Sequence, residues 1–391
     1  MLETLVDTPL VLVEGLPRCG KTTLAAQIAR SASGGAFLVD GSVPGAANLL
    51  LEPELALAEL GRAGSGGAQL SGRLLVVDRA DWDPAYLPAL ASFAAREAAR
   101  AESRPSVSRG IRMALLGTTF PACQEFPDAP RFSLGPLSLA EVGREARTAH
   151  WLRGGFPEAF FAPSDQAAFA WLGRWLDSAA EARLAEAGLP WAPGRTRRIL
   201  AMLAEAHGGP FNENAAASAL GVSRPTVVRF VAALERAGVL RSLPAAASAS
   251  GGRARRSASV CFRDSGLLHA LLGISSAESL LRNSRLVASW QGYVIEQALA
   301  ALPEDVSSGT YSSKDGAALE LVFTRRGAVI AGAAIRWSSA MHAPPRGASS
   351  ASSSLKCPRS WLVVPDAAEL DLGGAFTLVG LSRFLELLAD L

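Results

Sequence analysis

At 391 residues the chain exceeds one ordinary hydrophobic core and points to two or three domains. Its 38 basic and 36 acidic residues leave a net charge of +2, so no global field advertises a nucleic acid or a membrane as partner. Apolar runs stop short of the ~20 residues that span a bilayer. No basic-then-apolar leader opens the chain, and Cys19, Cys123, Cys261 and Cys357 are too dispersed for a zinc site or a disulfide framework. A cytoplasmic protein with reduced thiols is expected.

Residues 1–150 alternate short apolar strands with helical segments, the pattern of a parallel α/β sheet. The first strand, Val11-Leu12-Val13-Glu14, runs into Gly15-Leu16-Pro17-Arg18-Cys19-Gly20-Lys21-Thr22-Thr23, and a helix-forming stretch follows at 24–29. Gly-x-x-x-x-Gly-Lys-Thr between a strand and a helix is the phosphate-binding P-loop in its required setting. Its glycines let backbone N–H groups converge on a polyphosphate, and the positive end of the helix adds to the field. Lys21 is placed to reach the β- and γ-phosphates and Thr22 to ligate Mg²⁺. Only three of the 38 basic residues are lysines, and one of them stands here. The expected ligands are ATP and Mg²⁺, held by Gly15, Pro17, Arg18, Cys19, Gly20, Lys21, Thr22 and Thr23.

A second strand is expected at 36–40, a Gly/Ser/Ala-rich loop at 61–72, and a third strand at 74–78. That strand is Leu74-Leu75-Val76-Val77 ending in Asp78, the carboxylate expected to hold the metal beside Thr22. The position after it, where ATPases of this type carry a glutamate that polarises the attacking water, is Arg79. An arginine stays protonated and cannot act as a base. Loss of a general base costs roughly a hundred- to ten-thousand-fold in rate, so slow hydrolysis is expected unless Asp81 or Asp83 substitutes. A fourth strand at 111–116 leads to Thr118 and Thr119, candidates for the γ-phosphate or the attacking water, or caps of the next turn.

From about 151 to 240 the pattern turns helical. Helical stretches at 197–204 and 214–220, the turn Gly221-Val222-Ser223 and a helix at 224–235 with Pro225 in its first turn form a helix-turn-helix pattern. Strands at 239–243 and 259–262 would make a wing, with Arg253, Arg255 and Arg256 at its tip in an Ala/Ser/Gly/Arg linker at 245–259. Arg224, Thr226 and Arg229 are candidate contacts to double-stranded DNA; the near-neutral charge favours a module packed on protein instead. Further strands are expected at 319–323, 328–331 and 361–365. A second Ser/Pro/Gly-rich stretch covers 340–354, and a last helix covers 382–391.

The chain resembles the prokaryotic AAA+/STAND-like P-loop ATPases with a C-terminal winged helix and a degenerate restriction-endonuclease-like domain of unknown function. The resemblance rests on Gly15 to Thr22, on Asp78 (its partner glutamate broken at Arg79) and on Gly117-Thr118-Thr119. It continues through Arg131 before Pro136-Leu137-Ser138-Leu139-Ala140-Glu141, Gly154-Gly155-Phe156-Pro157-Glu158, Arg263 to Leu268 and Trp290 to Glu296. It implies an α/β fold divided into a P-loop domain at 1–150, a helical and winged-helix domain at 151–262 and a nuclease-like α/β domain at 263–391. It makes Asp78, Thr118 and Arg131 catalytic candidates, Arg131 as a transition-state or inter-subunit arginine, and Gly155 and Pro157 nucleotide contacts. The acidic marks of the nuclease core fall on Ala318, Glu320, Ala334 and Arg336, so nuclease activity is not expected. The function implied is a nucleotide-dependent switch with slow hydrolysis. The rivals are an ATPase of ordinary rate with Asp81 as base, and an ATP-responsive DNA-binding regulator. A protein partner and homo-oligomerisation stay open.

Overall fold

The computed structural model describes residues 8–32, 35–55, 57, 74–83, 85–103, 111–118, 120, 129–186, 193–245, 259–338 and 343–391. The expected loop at 61–72, Thr119 and the wing-tip arginines Arg253, Arg255 and Arg256 lie outside the described residues. The chain divides into two compact units, Met1–Pro136 and Leu137–Leu391.

In the first unit the elements run β1 (Leu10–Gly15), α1 (Lys21–Ser31), β2 (Ala36–Asp40), α2 (Ala46–Leu51), β3 (Leu74–Asp78), α3 (Tyr86–Ser103), β4 (Arg112–Gly117) and β5 (Arg131–Leu134). They form a five-stranded sheet in the order β2-β3-β4-β1-β5, with every pair parallel. A parallel sheet is covered on both faces, so its strands are apolar at consecutive positions. Leu10, Leu12, Leu75, Val77, Met113 and Leu115 pack on one face with Leu50, Leu90 and Phe93. Val11, Val13, Leu74, Val76, Ala114 and Leu116 pack on the other with Ala25 and Ile28 of α1. Because β1 is separated from β2 by β4 and β3, the carboxyl ends of β1, β4 and β3 lie side by side. Open α/β sheets bind ligands at such a switch point.

The second unit begins with α4 (Leu139–Val142), a 3₁₀ turn (Arg144–Ala146), α5 (Arg147–Arg153), α6 (Pro157–Phe160), α7 (Asp165–Glu186) and α8 (Pro193–Glu205). Then come β6 (Gly209–Pro210), α9 (Glu213–Leu220), α10 (Arg224–Arg236), β7 (Leu240–Leu243) and β8 (Ser259–Phe262). Asn212 caps α9 by accepting from the Ala215 amide, Gly221 ends it at φ 64°, and Ser223 caps α10. The strands form an antiparallel sheet in the order β6-β8-β7. Two helices joined by the turn at 221–223, and then the antiparallel pair β7–β8, thus follow one another in the chain.

The remaining elements are α11 (Ser265–Leu271), α12 (Ala277–Leu281), α13 (Leu286–Ala301), β9 (Val306–Ser312), β10 (Ala318–Arg325), β11 (Ala328–Ile335), α14 (Arg346–Leu355), β12 (Ser360–Val364), β13 (Leu370–Asp371), β14 (Phe376–Gly380) and α15 (Leu381–Ala389). Their six-stranded sheet has the order β13-β14-β12-β11-β10-β9. It is antiparallel across β9, β10 and β11 and parallel across β11, β12 and β14. Trp290, Phe323, Trp361 and Phe384 form its larger core, which also takes in Leu139 and Trp151 from the start of the unit.

Helix α14 falls in the Ser/Pro/Gly-rich stretch that composition alone marks as loop. Ala348, Ala351, Ser352 and Leu355 recur at three- and four-residue spacing and bury one small-residue face. On its exposed side Ser354 donates back to the Ser350 carbonyl at 2.8 Å. Gly347 is needed because a Cβ there would stand 2.4 Å from the Gly316 carbonyl oxygen. Among the described residues no helix is long and apolar enough to cross a membrane.

Candidate functional site

The loop at 16–20 joins β1 to α1 and is shaped by backbone conformations that ordinary residues avoid. Gly20 has φ 111° and Arg18 has φ 67°, a left-handed geometry that a non-glycine residue holds at a cost of roughly 1 kcal/mol or more. A Cβ on Gly15 would come within 2.6 Å of the Leu134 carbonyl oxygen and 2.8 Å of Cys19 Sγ. Lys21 folds over the loop, its Nζ donating to the carbonyls of Gly15 at 2.8 Å and Leu16 at 2.9 Å.

One residue further along α1, Thr22 Oγ1 donates to Asp78 Oδ2 at 2.6 Å. Asp78 is 2% exposed, and its other oxygen, Oδ1, has no hydrogen-bond partner among the described residues. A buried carboxylate oxygen left without a donor is costly unless a cation takes it. The pair supplies oxygen ligands of the kind a small hard cation shares with phosphate and water. These residues therefore fit Mg²⁺.

Beyond Asp78 the chain crosses the carboxyl edge of the sheet. Arg79 has φ 54°, and its Nη1 donates to Ser42 Oγ at 2.6 Å and to Asp40 Oδ2 at 3.2 Å, on the β2 side. Against the opposing pull of partial burial, the Ser42 hydrogen bonds and the Arg79 charge hold Asp40 below the usual carboxylate range. The next amide, of Ala80, donates to the Leu116 carbonyl of β4 at 2.9 Å. Asp81 Oδ2 then accepts from the Thr118 amide at 2.6 Å. Asp83 turns elsewhere and accepts from Ala85 N at 2.9 Å.

Arg131, the first residue of β5, is ion-paired with Glu14 at 3.2 Å and donates to the Phe120 carbonyl at 3.1 Å. Glu14 also accepts from the Phe120 amide at 2.6 Å. Two carboxylates thus bracket the turn after β4, Asp81 at Thr118 and Glu14 at Phe120. Neither Glu14 nor Asp40 stands out in the sequence, where each is simply an acid ending an apolar strand.

The other sequence candidates lie in the second unit. Leu137 N donates to the Gly155 carbonyl at 2.7 Å, and Ser138 and Glu141 form a reciprocal capping box that opens α4. Gly155 N donates to Asp264 Oδ2 at 2.8 Å, while Asp264 Oδ1 caps α11 by accepting from Leu267 N at 2.9 Å. Pro157 occupies the first turn of α6. Arg224 is exposed and ion-paired with Glu213 at 2.7 Å. Thr226 shares a 2.8 Å hydroxyl contact with Ser223. Arg229 is exposed on the same helix, α10, whose buried face is Val227, Phe230, Ala233 and Leu234.

Of the positions that the resemblance marks in the last sheet and its helix, Glu296 and Glu320 are engaged in ion pairs. Glu296 receives Arg241 at 2.6 Å and Arg263 at 3.4 Å. Glu320 is paired with Arg336 at 2.7 Å and accepts from Gln291 Nε2 at 3.1 Å and from Ile335 N at 3.0 Å.

Residues 144–278 match a family described as a domain of unknown function, DUF8612. The chain is 34% identical over 300 residues to an uncharacterized protein of Mycobacterium tuberculosis, a match covering 75% of this chain and 63% of that protein. An uncharacterized protein of Mycobacterium bovis matches to the same extent. The chain therefore spans 63% of the length of these relatives. Among solved structures it is similar to the ORC2 protein of Aeropyrum pernix, with 12% identity and a TM-score of 0.33 over 71% of this chain and 92% of that one. It is also similar to a RuvB mutant of Thermotoga maritima, with 18% identity and a TM-score of 0.26 over 62% and 86%.

Proposed function

We propose that the chain is an AAA+/STAND-like protein that binds ATP with Mg²⁺ and uses the bound nucleotide to select between arrangements of its two units. The observation that carries this reading is the joint geometry of Lys21 on the loop carbonyls and Thr22 on the half-satisfied carboxylate of Asp78. Lys21 can exchange its carbonyl partners for phosphate oxygens, and the loop amides and the amino end of α1 would face the same ligand. Mg²⁺, when bound, neutralises the β- and γ-phosphate oxygens; Thr22 and Asp78 hold it on the protein side. Gly15 makes room for Leu134 and Cys19, and Gly20 supplies the positive φ on which the loop turns.

Hydrolysis is slow in this reading, because the water-polarising glutamate of related ATPases is replaced by Arg79. Binding then biases one arrangement and turnover resets it, a population-shift device whose reach is limited by the differential affinity of the two states. The helix-turn-helix and hairpin are read as a winged helix. The sheet of β9 to β14 with its arginine-paired carboxylates is read as a nuclease fold without a metal centre, serving as a packing surface.

Calorimetric titration with MgATP tests the proposal. Saturable binding is expected, at least a hundredfold weaker in Lys21→Ala. Asp78→Asn is expected to retain nucleotide but lose the gain from added Mg²⁺. Absence of saturation with any purine triphosphate, on folded protein, would overturn the reading.

A further inference from the structure

We propose that Asp81 is the carboxylate that takes the proton from the attacking water when the bound triphosphate is hydrolysed. The inference rests on the nucleotide-binding reading above and adds the residue that makes slow turnover achievable.

The argument starts from the path of the chain after Asp78. The Asp78 carbonyl accepts from Gly41 N at 2.8 Å on the β2 side, and the left-handed backbone of Arg79 sends its side chain the same way, to Ser42 and Asp40. In the order β2-β3-β4-β1, that is the side of β3 away from the phosphate loop. Ala80 N then reaches across to Leu116 of β4, and Asp81 lays its carboxylate on the end of that strand. Oδ2 is 2.6 Å from Thr118 N, and a Cβ on Gly117 would lie 2.9 Å from the Asp81 carboxyl carbon. Gly117 thus leaves the room that this carboxylate fills.

Strand β4 lies between β3, which ends in the metal-holding Asp78, and β1, which ends in the phosphate loop. In the nucleotide-binding reading, the water attacking the γ-phosphorus would approach along this edge, between the two. The other described carboxylates of the edge have partners of their own, as Asp81 has at Thr118. Asp40 is ion-paired with Arg79, Glu14 is ion-paired with Arg131, Asp78 holds Thr22, and Asp83 bonds Ala85 N. Three residues beyond Asp78, the turn delivers to β4 the acid that Arg79 does not provide.

In the reaction the water oxygen bonds to the γ-phosphorus while one of its protons passes to the Asp81 carboxylate. The bridging oxygen's bond to the γ-phosphorus breaks, and its electron pair stays on the β-phosphate of the departing ADP. Inorganic phosphate leaves as the second product, and Asp81 returns its proton to solvent.

Asp81 also orders the Thr118 turn, so the test must separate positioning from proton transfer. Asp81→Asn keeps an acceptor for the Thr118 amide but takes no proton; Asp81→Ala removes both. Turnover of radiolabelled ATP and MgATP affinity are measured on the full chain. Asp81→Asn is expected to lower kcat about a hundredfold or more, with affinity within threefold of wild type. The proposal is overturned if Asp81→Asn keeps more than a third of wild-type kcat. It is also overturned if wild type binds MgATP yet turns over no faster than Lys21→Ala. Loss of binding in wild type would instead overturn the nucleotide-binding reading, and this inference with it.

Discussion

The Gly155 amide and the Asp264 carboxylate, 109 residues apart in sequence, are joined at 2.8 Å inside the second unit. This bond fastens the Gly-Gly-Phe-Pro-Glu element to the Asp-Ser-Gly-Leu-Leu element, and nearby glycines make the approach possible. A Cβ on Gly154 would come within 2.2 Å of Asp264 Oδ1, and one on Gly266 within 2.2 Å of the Arg153 carbonyl oxygen. Both motifs therefore have a packing reason to exist, whatever Gly155 and Pro157 do for a nucleotide.

Asp264→Ala strips the acceptor from two buried amides, those of Gly155 and Leu267. Each orphaned donor costs about 1–3 kcal/mol, so urea unfolding is expected to show a loss of about 2–6 kcal/mol. Asp264→Asn, which keeps one acceptor oxygen, is expected to lose less. Gly266→Ala forces the backbone of Arg153 aside and is expected to yield little soluble protein. Wild-type unfolding curves from Asp264→Ala would remove this joint from the account.

Stability in the second unit is expected to rise with pH between about 4 and 6. Burial, reinforced by the charge of its neighbour His269, lowers His207 to about 4, and burial lowers His269 to about 4. Both rings bind protons in the unfolded chain throughout that window but not in the folded one. Burial pushes Asp264 up to about 6 against the backbone N–H groups that favour its charge, which works in the opposite sense. Burial also lowers His150, so the histidines together outweigh Asp264 and the net slope is positive. Urea midpoints across the range check the sign; stability falling with pH there would give Asp264 the larger role.

Arg79→Glu is expected not to restore fast hydrolysis. The backbone at φ 54° aims position 79 at Asp40, so a glutamate there would face a like charge and not the phosphates. Turnover within threefold of wild type is the expected result of the radiolabel assay. A rise of tenfold or more would mean that the turn reorients, and that Arg79 alone sets the slow rate.

Glu296→Ala leaves Arg241 and Arg263 without their shared carboxylate. Removing one side of a buried ion pair costs about 3–5 kcal/mol, with the lower figure apt here because both arginines keep some contact with water. The expected readout is a lower Tm. Because Arg241 lies on β7 and Glu296 on α13, loss of the pair should also loosen the hairpin, measured as faster amide exchange in β7 and β8.

Much of the first unit was legible because a parallel sheet writes itself as apolar runs. The strands containing Val11 to Val13 and Leu74 to Val77 are buried on both faces, and the phosphate loop is a local motif whose meaning survives in one dimension. Strand β9, with the sequence Val-Ser-Ser-Gly-Thr-Tyr-Ser, escaped because its polar residues do not alternate strictly. Helix α14 escaped because its core face is built from alanine and serine, which read as linker. The pairing of Asp40 with Arg79 and of Glu14 with Arg131 was illegible for a different reason. The partners are far apart along the chain, and only the strand order decides which acid meets which base.

Lys21 resting on Gly15 and Leu16 has a kinetic corollary. Two neighbouring carbonyl dipoles that point together repel each other, whereas here the protein's own ammonium bridges them and holds the turn. In the nucleotide-binding reading, arrival of a triphosphate would amount to swapping one set of oxygens for another around a cation already in position. Little chain has to be ordered at that moment, so capture should run near the rate of encounter and release should carry the selectivity.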